Sequence, residues 1–272
     1  MRLPQNNGRI NESIRSDEIK GSASLILNWK LDILYFMARL PRIVIPNQPL
    51  HIMHRGNNKQ DIFESEQDMM RLKEDIAHSL SKSDCQLHAY VIMTNHVHLL
   101  ITPKDKQQLA IFMQAMANRY VRYFNATRKR TGTIWEGRFK SCLVDSEHYL
   151  FALYKYIEMN PVKANMVKEV VDYKWSSYHH NALGEADPLI KAHSFYDELG
   201  NTPELRYARY SELFDALDIS QQQEQISKAT LAGDVYGSNE FHLKIGQMLS
   251  RATKRGAHGG DRKSEEYRNQ VG

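Results

Sequence analysis

Tyr90-Val91-Ile92-Met93-Thr94-Asn95-His96-Val97-His98-Leu99-Leu100-Ile101 is the stretch on which the reading of the whole chain turns. Leu87 to Met93 and Val97 to Thr102 are rich in β-branched and large apolar residues, and Thr94-Asn95 between them is turn chemistry, so the stretch predicts a β-hairpin. Side chains on a strand alternate between faces, so His96 and His98 project together while Val97 points into the opposite layer. Two neighbouring neutral imidazoles on a rigid strand are half of a divalent-metal site. Taken alone, they also read as two histidines satisfied by hydrogen bonds at a sheet surface.

Working outward, Leu50-His51-Ile52-Met53-His54 alternates as a strand, and Arg55-Gly56-Asn57-Asn58 supplies a turn. Ser65 to Ser81 places Met69, Leu72, Ile76 and Leu80 at helical spacing, with acidic residues near the start. A second helical pattern runs from Leu109 to Phe124 through Ile111, Met113, Met116 and Tyr120. Thr133-Ile134-Trp135 and Phe139 to Val144 suggest further strand. The order β-α-β-β-α-β predicts an α+β fold of the ferredoxin-like split βαβ (RRM-like) type. An antiparallel sheet with helices on one face is expected, plus a C-terminal helical segment. A helix over Ser146 to Met159 should stop at Asn160-Pro161, because the residue before proline avoids the helical region.

The chain divides into an N-terminal extension over 1–36, a main domain over 37–180, a helical segment over 181–250 and a basic tail over 251–272. The tail holds six Lys or Arg against three acidic residues and includes Gly256, Gly259 and Gly260, the composition of a flexible arm that orders on nucleic acid. The 272 residues carry a formal charge of +4, which suits a polyanionic partner without requiring one. Cys85 and Cys142 lie far apart without a partner motif, which excludes a disulfide framework and a zinc ribbon and points to a reducing cytoplasm. Leu25 to Met37 is interrupted by Asn28, Lys30 and Asp32 and is too short to span a bilayer. No export signal and no membrane partner are expected.

The helix ending at Asn160 offers two i, i+4 pairs, Tyr154 with Glu158 and Tyr156 with Asn160, and either sets a phenol and an oxygen ligand on one face. A tyrosine can act as a nucleophile when its phenolate is favoured, and a nearby cation can polarise a phosphate and align the reacting groups. Two imidazoles with one amide or carboxylate oxygen suit Mg²⁺ or Mn²⁺. The plainer alternative packs these tyrosines in the core and makes Asn160 the cap of a helix opened by Pro161.

Four ordered segments now bear comparison with a known family: Pro49-Leu50-His51-Ile52 with Arg55-Gly56-Asn57-Asn58; Asn95-His96-Val97-His98; Trp135-Glu136-Gly137-Arg138-Phe139; and Tyr156-Ile157-Glu158-Met159-Asn160-Pro161-Val162-Lys163-Ala164. Together they resemble the REP-associated tyrosine transposases, single-tyrosine transposases of the HUH endonuclease superfamily related to the IS200-like enzymes. The resemblance spans about residues 38–180. It implies His96 and His98 as paired metal ligands, Asn160 as the third and Tyr156 as the nucleophile, with Glu158 and Tyr154 as fallbacks for the last two roles. It further implies a nick in single-stranded hairpin DNA, a 5′-phosphotyrosine link and a free 3′-hydroxyl, with Mg²⁺ or Mn²⁺ and no nucleotide cofactor. The enzyme would be cytoplasmic and nucleoid-associated, as a monomer or homodimer.

Arg55, Asn57, Asn58, Arg119, Arg138 and Lys140 are the expected DNA contacts, with Trp135 and Phe139 as surfaces on which bases stack and Arg128-Lys129-Arg130 as a phosphate-contacting loop. The rival readings are a non-catalytic hairpin-binding descendant of such an enzyme and a metal-dependent phosphodiesterase acting through water.

Overall fold

The computed structural model describes residues 41–254, the side chains of Glu147 and His148 excepted. Five strands form one sheet: β1 (Leu50–Arg55), β2 (Cys85–Ile92), β3 (His96–Pro103), β4 (Lys140–Val144) and β5 (Val235–Tyr236), in the order β2-β3-β1-β4-β5. The first four strands pair antiparallel in the order a split βαβ unit requires, and β5 adds parallel to β4 at the edge. The predicted hairpin is present: Met93 N–H donates to the His96 carbonyl across Thr94-Asn95. Gly56, where β1 turns, has no room for a side chain, because a Cβ there would lie 2.4 Å from the Gln60 carbonyl oxygen.

The crossover helices are α1 (Glu66–Ser81) and α2 (Lys106–Thr127). Ser65 and Asp68 form a reciprocal capping box at the start of α1, and Asp105 accepts from the amides of Gln107 and Gln108 at the start of α2. Met69, Leu72 and Ile76 of α1 and Leu109, Phe112, Met116 and Tyr120 of α2 pack with Leu50, Ile52, Val97, Leu99 and Ile101 on one face of the sheet. Val97 therefore points away from the two histidines, as the alternation predicts.

The other face is not open, which corrects the expectation of helices on one side only. Helix α3 (Ser146–Glu158) leads into the short α4 (Asn160–Lys163), followed by α5 (Tyr178–Leu183), α6 (Ser194–Asp197), α7 (Pro203–Ala216), α8 (Ser220–Ala232) and α9 (Asn239–Leu249). Residues of α3, α5, α6, α7 and α8 pack with Ala89, Val91, Leu100, Cys142 and Val144 in a second core. The sheet is thus a buried middle layer, and the segment after residue 181 shares its core. A second correction concerns Thr133-Ile134-Trp135, which makes only an isolated bridge from Trp135 to Gly56.

Residues 1–36 and most of the basic tail lie outside the described residues. Residues 251–254 do not: the Thr253 carbonyl accepts from Val235 N–H, and its hydroxyl meets His242 Nδ1 at 2.9 Å. Among the described residues no helix is long and apolar enough to cross a membrane.

Candidate active site

Register sets the site. Arg55 faces His96 and Met53 faces His98 across the β1–β3 pair, while Met53 faces Lys140 across β1–β4. Alternation then brings His51, Arg55, His96, His98, Lys140 and Cys142 to the face against which α3 packs. Tyr156 on α3 meets this group: its ring lies 5.6 Å from that of His51 and 5.8 Å from that of His98, edge to face in both cases. The His96 and His98 rings are 4.8 Å apart.

Burial holds the three imidazoles neutral. His51 is pushed down to about 3 and His96 to about 4, and His98 falls well below its ordinary value, in each case chiefly through desolvation. A neutral imidazole can ligate a cation, whereas an imidazolium cannot. His96 Nδ1 lies 2.6 Å from Asn95 Oδ1, while Asn95 Nδ2 donates to the Lys59 carbonyl. Asn95 therefore offers its oxygen as an acceptor, His96 Nδ1 carries the proton, and Nε2 keeps its lone pair. Among the described residues no three His, Cys, Asp or Glu side chains gather as a metal-binding group. A third protein donor beside His96 and His98 would be of another type. Asn160 Nδ2 donates to the Tyr156 and Ile157 carbonyls at 2.7 and 3.2 Å, which leaves Oδ1 as the atom that can meet a cation.

Burial also raises the Tyr156 phenol above its usual range, an effect opposed by the Ser227 hydroxyl on α8. Lys163 Nζ sits 4.6 Å from the Tyr156 ring centroid. Its ammonium is lowered to about 8, first by burial and then by Lys155, and remains mostly charged at neutral pH. A cation beside a phenol favours the phenolate that a nucleophilic tyrosine needs.

The two fallback residues point elsewhere. Tyr154 is fully buried among Phe151, Tyr196 and Tyr210. Glu158 Oε1 accepts from Ser177 and Asn181 and its Oε2 accepts from Tyr210, which pins the end of α3 to the second core. Helical phase explains the split, because 154 and 158 share one side of α3 while 156 and 160 share another.

Burial raises the Glu158 carboxyl to about 7. Between about pH 4.5 and 7 the folded protein keeps a proton that the unfolded chain releases, so stability declines as pH rises through that window. The difference in unfolding free energy between Glu158→Gln and wild type, followed by thermal melts, should accordingly grow in favour of the variant from pH 5 to 7.5, by an amount on the order of a few kcal/mol. Parallel melting profiles would contradict this assignment.

Arg55, Asn57, Asn58, Arg138 and Lys140 collect where β1 ends and β4 begins, beside His96. Asn57, Asn58 and Arg138 are exposed, and Arg55 pairs with Glu136 at 2.6 Å. Arg119 is not among them: it lies on α2, against the opposite face of the sheet, bound to the buried Asp75 at 2.8 Å. Arg128 is likewise held by Glu64 and Asp68. Trp135 is 4% exposed and stacks on His54 at 4.1 Å, so its faces are already covered. Phe139 lies beneath the Arg42 guanidinium at 3.6 Å.

His51 carries no motif that marks it as part of a site in the sequence alone. The available signal was its phase on β1, two and four residues before Met53 and Arg55, on the strand that pairs with β3.

Residues 45–160 match the family described as transposase IS200-like. A Haemophilus influenzae protein named "Putative REP-associated tyrosine transposase" is 29% identical over 128 residues, covering 43% of this chain and 68% of the relative. Among solved structures, a REP-associated tyrosine transposase bound to a REP hairpin is 19% identical and covers 58% of this chain and 92% of its own, with a TM-score of 0.47. A transposase structure from Deinococcus radiodurans, also 19% identical, covers 44% and 96% with a TM-score of 0.32. The fold is given by the strand order itself, and the segment matched to the family contains β1 to β4, His96, His98, Tyr156 and Asn160. Residues 45–160, less than half of the chain, are thus similar in sequence to the IS200-like transposase family.

Proposed function

We propose that the protein binds a single-stranded DNA hairpin of REP type and cuts and rejoins the strand through Tyr156. The observation that carries this reading is the meeting of the Tyr156 ring with His98 on one face, while Tyr154 is enclosed in the core. The name of the Haemophilus relative, which associates it with REP sequences, supports REP-type DNA as the substrate. In the reaction Tyr156 Oη attacks the phosphorus, the Tyr–O–P bond forms, and the bond from phosphorus to the 3′ oxygen breaks. The phenolic proton is lost and the departing 3′ oxygen gains one, giving a 5′-phosphotyrosine and a free 3′-hydroxyl whose reversal rejoins the strand. Lys163, whose ammonium lies over the Tyr156 ring, is the positive charge nearest to hand as the phenolate forms.

Neutral His96 and His98 and the Asn160 amide oxygen are a donor set that fits Mg²⁺ or Mn²⁺. Bound there, the cation would neutralise charge on the attacked phosphate. Arg55, Arg138 and Lys140, with Asn57 and Asn58, would hold phosphates of the unpaired flank. Such a protein acts in the cytoplasm with the nucleoid.

The test is incubation with hairpin-containing single-stranded DNA and Mn²⁺, followed by a denaturing gel. A covalent protein–DNA band is expected. Tight hairpin binding without that band would instead favour a non-catalytic binding protein, and cleavage without attachment would favour hydrolysis by water.

The tail gives a separate expectation. Arg255, Arg262, Lys263 and Arg268 lie in 255–272, so removing that segment should weaken binding and flatten its salt dependence by up to about 0.7 log units per lost phosphate contact. The cut belongs at 255 because Thr253 is bonded to β5 and α9. An unchanged salt slope would remove the tail from the binding surface.

A further inference from the structure

Thr230, on α8, is buried behind the histidines. Its Oγ1 lies 2.7 Å from the Ile226 carbonyl oxygen, 2.7 Å from His51 Nδ1 and 3.3 Å from Cys142 Sγ. A carbonyl oxygen only accepts, so the single hydroxyl proton of Thr230 goes to Ile226. The Thr230 oxygen must then accept from both other neighbours, Cys142 S–H and His51 Nδ1–H. A neutral His51 protonated on Nδ1 carries its lone pair on Nε2. That atom is 2.8 Å from His98 Nδ1, which must be the donor. His98 is left with one unprotonated nitrogen, Nε2.

We propose that Thr230 and His51 are positioning residues of the reaction centre: the chain Ile226–Thr230–His51–His98 locks His98 as its Nδ1–H tautomer, so that Nε2 is the nitrogen offered to a divalent cation. The inference rests on the reading of His98 as a metal ligand. It matches the arrangement deduced independently for His96, whose proton is fixed on Nδ1 by Asn95, so both ligands present the same nitrogen. Hydrogen bonds of this kind behind a metal ligand set its tautomer and ring orientation. Helix α8 lies beyond the family-matched segment. Ser227, one turn before Thr230 on the same side of α8, acts on the Tyr156 phenol. The C-terminal segment is thus a wall of the site.

The test uses the full chain labelled with ¹⁵N-histidine, without DNA. The ring nitrogens of His98 should report an Nδ1–H tautomer in wild type and a mixture in Thr230→Val, which keeps the shape of the side chain but removes the acceptor. Mn²⁺ affinity measured by titration should fall about 10-fold in Thr230→Val. Thr230→Ser should restore both, which separates loss of the hydroxyl from loss of packing. An Nε2–H tautomer in wild type, or unchanged tautomer and Mn²⁺ affinity in Thr230→Val, would overturn the inference and leave the strand-transfer reading standing. If His98→Ala binds Mn²⁺ as wild type does, the metal reading itself fails, and the inference with it.

Discussion

Tyr156→Phe should lower formation of the covalent protein–DNA adduct by at least about 10³-fold while hairpin affinity changes less than about twofold. The ring is largely buried and packs edge to face on His51 and His98. Phenylalanine keeps those contacts and the seat beneath Lys163, and loses only the attacking oxygen. Tyr154→Phe is the matched control, because that phenol lies in the second core and can reach no phosphodiester. Adduct formation and affinity can be read on the same hairpin by denaturing and native gels. A Tyr156→Phe protein that still forms the adduct, with a Tyr154→Phe protein that does not, would move the nucleophile two residues.

His98→Ala should reduce nicking by roughly 10²-fold or more and weaken Mn²⁺ binding, because a single remaining strand imidazole cannot hold the cation in place. His96→Ala should do the same to the chemistry. The two differ in stability. His98 is buried and partners His51, so its removal leaves His51 Nε2 unpaired in the interior at a cost of about 1–3 kcal/mol. His96 is only partly buried, and its loss strands no buried acceptor. Thermal melts beside metal titrations would show this asymmetry. Undiminished cleavage by the double variant, or in excess chelator, would contradict a metal-assisted reaction.

The hairpin, the two crossover helices and the shared face of His96 and His98 were legible because each follows from a local period, whereas Tyr156 was singled out by the resemblance. Alternation across Val97 fixes the histidine face, and i, i+4 spacing separates Tyr156 and Asn160 from Tyr154 and Glu158. Spacing alone does not choose between those two pairs; contact with the sheet does. The second helical layer was harder to read, since it is built by residues distant in the chain from the strands they cover, as Ile226 is from Ala89. Its trace was nonetheless in the chain: Tyr90-Val91-Ile92-Met93 and Leu99-Leu100-Ile101 are apolar at every position, as strands covered on both faces are. Arg119 and Trp135 lie apart from the other expected DNA contacts for a common reason. Charge and aromaticity suit nucleic acid, but Asp75 and His54 had already claimed them, and such pairings between distant segments carry no local signature. His51 and Thr230, 179 residues apart in sequence, show the same limit at the site itself.

The central claim is that Tyr156 becomes covalently joined to the 5′ end of a strand cut beside a hairpin. Bases in the unpaired flank can be splayed toward the protein, whereas a duplex keeps them stacked on one another. The most direct measurement is peptide mapping by mass spectrometry of the adduct formed with Mn²⁺, on a single-stranded hairpin and on the same sequence fully paired. The account predicts a nucleotide bound through its 5′ phosphate to Tyr156, formed from the single-stranded hairpin and hardly at all from the duplex. A 3′ linkage, attachment at another residue, or equal yield from paired DNA would contradict it.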